Sequence, residues 1–213
     1  MASEVDIANL ALAHLAEDPA ITALSPTPAG GAHAKKAKLF YAIARNALLE
    51  MHDWHFATGR AVLAELDLDE IQAGGELPEG WGYGYTLPAD CLRPRRVLIP
   101  GETDDTAGQN FTVETLEDGN KVLFTNVEDA VLLYTKNITD PTKFSPLYIV
   151  ALSHLLASHL AGPIIKGREG RQVAAEHLKH AMLTFGQAAG SDSNSRQQND
   201  YTTRVPGAIS ARQ

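Results

Sequence analysis

Residues 34–56 read AKKAKLFYAIARNALLEMHDWHF. Leu39, Phe40, Ile43, Ala47, Leu48 and Met51 recur at three- and four-residue steps, the period of one helix face. Lys35, Lys36, Lys38, Arg45, Asn46 and Glu50 fall mostly elsewhere. About 20 helical residues span ~30 Å, roughly the width of a small domain. The stretch therefore predicts a spine helix against which other elements bury their faces. It ends in Trp54 and Phe56, two apolar anchors that mark a structural junction where the helical pattern stops.

The elements around the spine follow from local patterns. Ser3 with Asp6 three residues later resembles a capping box. It opens a short amphipathic helix over 3–16, with Ile7, Leu10, Ala11, His14 and Leu15 as the expected inner face. Pro26, Pro28, Gly30 and Gly31 make the following stretch a loop. Residues 60–68 fit a strand poorly, and a helix fits as well. The glycines from Gly74 to Gly84 predict a loop carrying Trp81, Tyr83 and Tyr85. Pro88 and Pro94 argue against a long regular element, leaving a short strand at 97–99. Residues 111–115, 121–125 and 130–136 read as strands, with a two-residue Asp118-Gly119 hairpin between the first two.

Ser145 and Pro146 are a good N-cap and first helical residue. The helix they open is apolar nearly all round, which suits a core or a contact between subunits, and Gly162 and Pro163 are expected to close it. A fourth helix is expected over 169–185, with Val173, Ala174, His177, Leu178, Ala181 and Phe185 inward and Gly186 and Gly190 as its stop. From Ser191 the run SDSNSRQQND has no apolar residue and reads as a linker.

The fold class expected is α+β. A four-helix bundle-like body is formed by residues 1–57 and 138–189, and a mainly antiparallel β insert by 58–137. Residues 190–213 form a C-terminal arm, near +1 against a body near −9. Tyr201, Arg204, Val205, Pro206, Ile209 and Arg212 are its candidate partner-binding residues; an untidy terminus is the other reading.

Charge and cysteine usage narrow the classes. A net charge of −8 is the wrong sign for gripping nucleic acid through its phosphates, although nucleic acid could pass by. The lone Cys91 makes no intrachain disulfide and suits a reducing compartment. No signal peptide is expected, and no apolar run of the ~20 residues a bilayer span needs. The eight histidines invite a metal reading, but none of their spacings is a recognised signature. His14, His154 and His177 lie on apolar helix faces, where a hydrogen-bonded core histidine is the commoner case. Cys91 stands near Arg93, Arg95 and Arg96, which could activate a thiol, yet a small packed residue fits better. The arginines read as an ion-paired strand end or as a contact for an acidic partner. Ser153-His154 and Ser158-His159 are adjacent pairs that point apart on a helix. No catalytic residue, metal ligand or cofactor is assigned.

Several segments in this order resemble the tail tubular protein A family, the head-to-tail adaptors of short-tailed bacteriophages. They are the opening IANLALAHL helix with Ile21 and Leu24, and the long helix running into Trp54-His55-Phe56-Ala57. Next come Tyr85-Thr86-Leu87-Pro88-Ala89-Asp90-Cys91-Leu92-Arg93, then Tyr134, Asp140, Phe144, Pro146 and Leu147 leading into a helix with Ala151, Leu155, Ala157, Leu160, Ala161 and Pro163. The likeness spans most of residues 5–189. It departs in the polar loop after Gly101 and in the arginine-bearing tail. It implies a virion protein of the neck, assembled in the host cytoplasm, with no catalysis, no cofactor and no membrane. Such a protein would form a homo-oligomeric, dodecameric ring between portal protein and tail nozzle, with the β insert toward the tail. Genomic DNA would pass through the lumen without specific binding. The alternatives are a small histidine-containing hydrolase or metal enzyme, and a generic helical binding module.

Overall fold

The computed structural model describes residues 2–18, 21–24, 31–67, 77–101, 108–116 and 119–195. They form an α+β fold: a body of four helices and a β unit of two small antiparallel sheets. The helices are α1 (Glu4–His14), α2 (Gly31–Met51), α3 (Pro146–Ile165) and α4 (Gly167–Asn194). The strands are β1 (Thr58–Val62), β2 (Ala64–Glu65), β3 (Tyr83–Thr86), β4 (Cys91–Leu98), β5 (Phe111–Thr115), β6 (Lys121–Thr125) and β7 (Val131–Lys136).

The organising element is α3 rather than the spine helix. Tyr148, Ala151, Leu152, Leu155, Leu156, Leu160 and Ala161 are buried in one core cluster with residues of α1, α2 and α4. Ser145 caps it as expected, its Oγ accepting from the Tyr148 N–H at 3.3 Å. Pro163 does not end it: the helix continues to Ile165, and Lys36 Nζ donates to the Pro163 carbonyl at 3.0 Å. A carbonyl in the last turn has no helical partner, so this contact from α2 satisfies it. By length and composition α3 is apolar enough to cross a membrane, contrary to the expectation that no such run exists. Here about half of it is buried against the three other helices, and Leu147 and Val150 stay exposed.

α2 turns a different face inward from the one expected. Ala34, Ala37, Tyr41, Ala44, Leu48 and Leu49 are buried, whereas Leu39, Ile43 and Met51 are 63%, 58% and 48% exposed. The reason is distance of approach. A face built on Ala34, Ala37 and Ala44 lets the α2 backbone lie close to α3, which the larger side chains would prevent. Among the large residues of the predicted face, Leu48 is buried and Phe40 half-buried, the latter stacked on His159 with centroids 5.6 Å apart. α1 shows a smaller rotation of the same kind: Ile7, Ala8, Ala11 and Leu12 are buried and Leu10 is exposed. Its capping box forms, with Asp6 N–H on Ser3 Oγ at 3.1 Å and Ser3 N–H on Asp6 Oδ2 at 2.8 Å. Asn9 then fixes the chain after α1, its amide bonding both the N–H and the carbonyl of Ile21.

α4 passes through Gly186 and Gly190 and extends to Asn194, into the stretch read as a linker. Leu178, expected inside, is 45% exposed; Val173, Ala174 and Phe185 pack on the core and Ala181 and Ala188 are buried in it.

In the β unit one sheet has the order β1-β7-β4 and the other β2-β3-β6-β5. The chain changes sheet at Leu63, whose N–H donates to the Ala130 carbonyl at 2.9 Å. Leu63, Tyr85, Val97, Leu123, Leu132 and Tyr134 fill the space between the sheets. Residues 83–86, read as loop, are a central strand. The eight-residue β4 contains Pro94, contrary to expectation. It is tolerated because β4 is the edge of its sheet and its register shifts between Pro94 and Arg96, the setting in which a missing N–H costs no ladder bond. Leu116 N–H donates to the Asn120 carbonyl at 2.8 Å between β5 and β6, and Asp118 of the expected two-residue turn lies outside the described residues. Gly119 takes a φ of 87°, which a side chain disfavours.

Candidate functional site

Trp54 and Phe56 stand where the helical body meets the β unit, just before β1. Trp54 is fully buried, and its indole N–H donates to the Leu48 carbonyl at 2.8 Å, one of the unpaired carbonyls ending α2. Its ring meets Tyr148 edge-on at 5.1 Å and Phe185 at 5.9 Å. Phe56 packs against Trp54, Phe144 and Tyr148. Aromatic side chains from α3, α4 and the α2–β1 connection thus converge at the end of α2, just before β1.

Polar contacts tie the same junction. Asp53 pairs with Arg93 and, at 3.0 Å, with Arg95, whose other guanidinium nitrogen donates to Thr58 Oγ1 at 2.9 Å. Two of the three arginines therefore join β4 to the end of α2, which is the ion-paired reading of that cluster. Arg45, also buried, donates to Asn137 Oδ1 at 3.1 Å, linking α2 to the strand exit after β7.

The end of α4 reaches the same place. Asp192 accepts from the His55 N–H at 3.1 Å and lies 2.9 Å from His55 Nδ1 and 3.3 Å from His52 Nε2. This explains why 191–194 stay helical despite having no apolar residue: their anchor is polar and lies about 140 positions away in the chain. Ser195 Oγ also approaches His55 Nδ1, at 3.4 Å. A Ser–His–Asp relay needs serine and carboxylate on opposite ring nitrogens. Here both meet the same nitrogen, so the group fastens the helix end.

The fold also assembles four histidines. His14 of α1, His154 of α3, and His177 and His180 of α4 line an open groove of about 610 Å³ together with Glu169 and Glu176. The His14 and His154 rings stack with centroids 3.9 Å apart, and His154 and His177 approach to 3.3 Å between Nδ1 atoms. Among the described residues no group of three or more His, Cys, Asp and Glu side chains is arranged to hold a metal ion. Burial and the neighbouring rings push His154 down to about 4, and they lower His14 as well. His159, on the opposite side of α3 against Phe40, is lowered by burial alone.

Ser153 Oγ donates to the Val150 carbonyl, with His14 Nε2 3.1 Å away, and Ser158 Oγ donates to the Leu155 carbonyl, so neither hydroxyl gives its proton to a histidine as a nucleophile would. Cys91 lines a second groove of about 620 Å³ with Leu66, Leu87, Leu116 and Val122. Burial, then Asp90, pushes its thiol up to about 11, the opposite of what nearby arginines suggest from sequence. A thiol in that state is a poor nucleophile near neutral pH.

Among the described residues, exposed large apolar side chains include a row on α2 and a pair on α4, beside Leu10, Val62, Ile99, Leu147 and Val150. Leu39, Ile43, Ala47 and Met51 follow one another at four-residue steps along α2, all exposed. Leu178 and Leu183, the latter 62% exposed, stand on α4. The sequence pattern had assigned Leu39, Ile43, Met51 and Leu178 to the core, so it found the residues and misplaced them. Tyr201, Arg204, Val205, Pro206, Ile209 and Arg212 of the expected arm lie outside the described residues.

No protein-family model matches the chain, and no curated protein matches it.

Proposed function

We propose that this chain is a structural head-to-tail adaptor of a short-tailed bacteriophage, whose copies form a ring between portal and tail nozzle. The observation that carries this reading is the pair of outward apolar sets on α2 and α4. Both helices pack on α3, and each leaves large aliphatic side chains in solvent. Two different patches on one subunit, if each contacts the other on the next copy, make a head-to-tail interface, and such interfaces generate rings when the rotation closes. The order of segments described above supports the family, and the rigid junction at Trp54 suits a part that must hold two partners in one geometry.

Charge fits the same use. A ring multiplies the −8 of one subunit by its copy number, and an acidic lumen repels phosphate, so DNA slides through it without sticking. In this reading the β unit faces the nozzle and the ring is dodecameric, as in the family the segments resemble.

The test is electron microscopy of the full chain mixed with the portal protein of the same phage. Rings stacked coaxially on portals are expected. A chain that stays monomeric with the portal over a range of salt concentrations would sink the proposal, and a discrete small complex without a ring would favour a helical binding module.

A further inference from the structure

The four-histidine groove is not used by the adaptor reading, and it joins three helices at one end of the body. We propose that His14, His154, His177 and His180 form an acid-sensitive latch, which holds α1 on α3 and α4 while the rings are neutral and releases α1 as they become charged.

The geometry carries the argument. His154 and His177 face each other through Nδ1 at 3.3 Å, a contact in which one ring donates and the other accepts. Two imidazolium rings both carry a proton at Nδ1, so the bond survives only while at least one is neutral. His14 is the sole ring contributed by α1. It stacks on His154 at 3.9 Å and lies 5.8 Å from His177. Its Nε2 is 3.1 Å from Ser153 Oγ, which already donates to the Val150 carbonyl. His14 must therefore be the donor to Ser153, and its Nδ1 is left without a proton in the neutral state. Charging the cluster places like charges on rings stacked at van der Waals distance.

The charged groups facing the groove are Glu169 and Glu176, both on α4. Glu176 Oε1 lies 4.0 Å from His180 Nε2 at the exposed rim, so a charged His180 finds a partner there. Of the groove-lining residues, those from α1 (His14) and α3 (His154, Ile165), with Leu15 and Ala16 just after α1, include no carboxylate. His14 and His154 consequently meet only other histidines across the stack. Burial first, then the charges of the neighbouring rings, hold both below the ordinary histidine value, His154 at about 4. An imidazole lowered in the folded state supports folding above its unfolded value of about 6.5. That support falls away as the pH drops from about 6.5 toward 4. α1 is otherwise held by groups that do not titrate: Ile7, Ala8, Ala11 and Leu12, all fully buried, Leu15 just beyond the helix, and the Asn9 amide on Ile21.

The test is amide hydrogen exchange of the full chain at pH 7.5 and pH 5, corrected for intrinsic exchange, with β7 as the internal control. Protection of α1 should fall about tenfold while β7 keeps its own, the difference that marks local opening. His154→Asn should remove most of the pH dependence. His180→Gln, at the exposed rim where folding is safe, should lessen it by relieving one like charge. Equal protection of α1 at the two pH values overturns the latch. So does loss in β7 to the same degree, which is global unfolding, or an unchanged pH effect in both variants.

Discussion

α2 and α3 are nearly the same length, 21 and 20 residues, and each looks from its sequence like a helix to build a core on. Only α3 does so. It carries leucines on several sides, and α1, α2 and α4 cover them. α2 carries two apolar stripes, one of alanines with Tyr41 and Leu48, the other of larger aliphatics, and it buries the first. The difference shows that side-chain size alone does not choose the inward face. Small residues win where a backbone must come close, and the larger stripe is then left in solvent. It also separates the two helices: α3 is covered by its neighbours, and α2, in the adaptor reading proposed above, keeps a face for assembly.

The largest expected effect lies where the two helices share an anchor. Trp54→Ala removes a fully buried ring that caps α2 and packs on Tyr148 of α3, and should lower unfolding free energy by ~3–5 kcal/mol in denaturant titrations. A matched pair of truncations separates the helices directly. Leu152→Ala on α3 should cost ~2–5 kcal/mol, because Leu152 is fully buried, whereas Leu39→Ala on α2 should change stability by less than ~0.5 kcal/mol. Equal costs would erase the distinction between them.

The β unit offers an intermediate case that leaves both helices intact. A Cβ at Gly59 on β1 would sit 2.6 Å from atoms of the Tyr134 ring and the Lys136 side chain. Gly59→Ala should cost ~1–3 kcal/mol and shift Tyr134 from its bond to Asp90 Oδ1, visible as a change in tyrosine fluorescence or near-ultraviolet dichroism.

How far the fold was legible in the sequence follows from which forces were local. The Ser3–Asp6 box and the Ser145–Pro146 start depend on neighbours within a few residues, and each leaves a mark in the chain. The α+β class was readable for the same reason. What escaped reading is tertiary. β3 hid among glycines because its partner, β6, lies about 40 residues further on. Pro94 looked like a strand breaker because an edge position and a register shift cannot be seen locally. Asp192 holds the end of α4 through His52 and His55, and the four histidines meet only because three helices converge. The apolar face of α2 was misjudged because periodicity ranked leucine above alanine, with no knowledge of how near α3 would lie.

The smallest effect on folding should accompany the largest effect on assembly. The double variant Leu39→Gln, Ile43→Gln places polar groups where the α2 stripe meets solvent, and its melting temperature should match that of the unaltered chain within about 2 °C. Sedimentation velocity of the two proteins at equal concentration, alone and with the portal, is the most direct measurement of the account. The unaltered chain should sediment as a closed multi-subunit ring, and the double variant as a folded monomer. A variant that assembles as well as the unaltered chain, or an unaltered chain that remains monomeric under every condition, would contradict it.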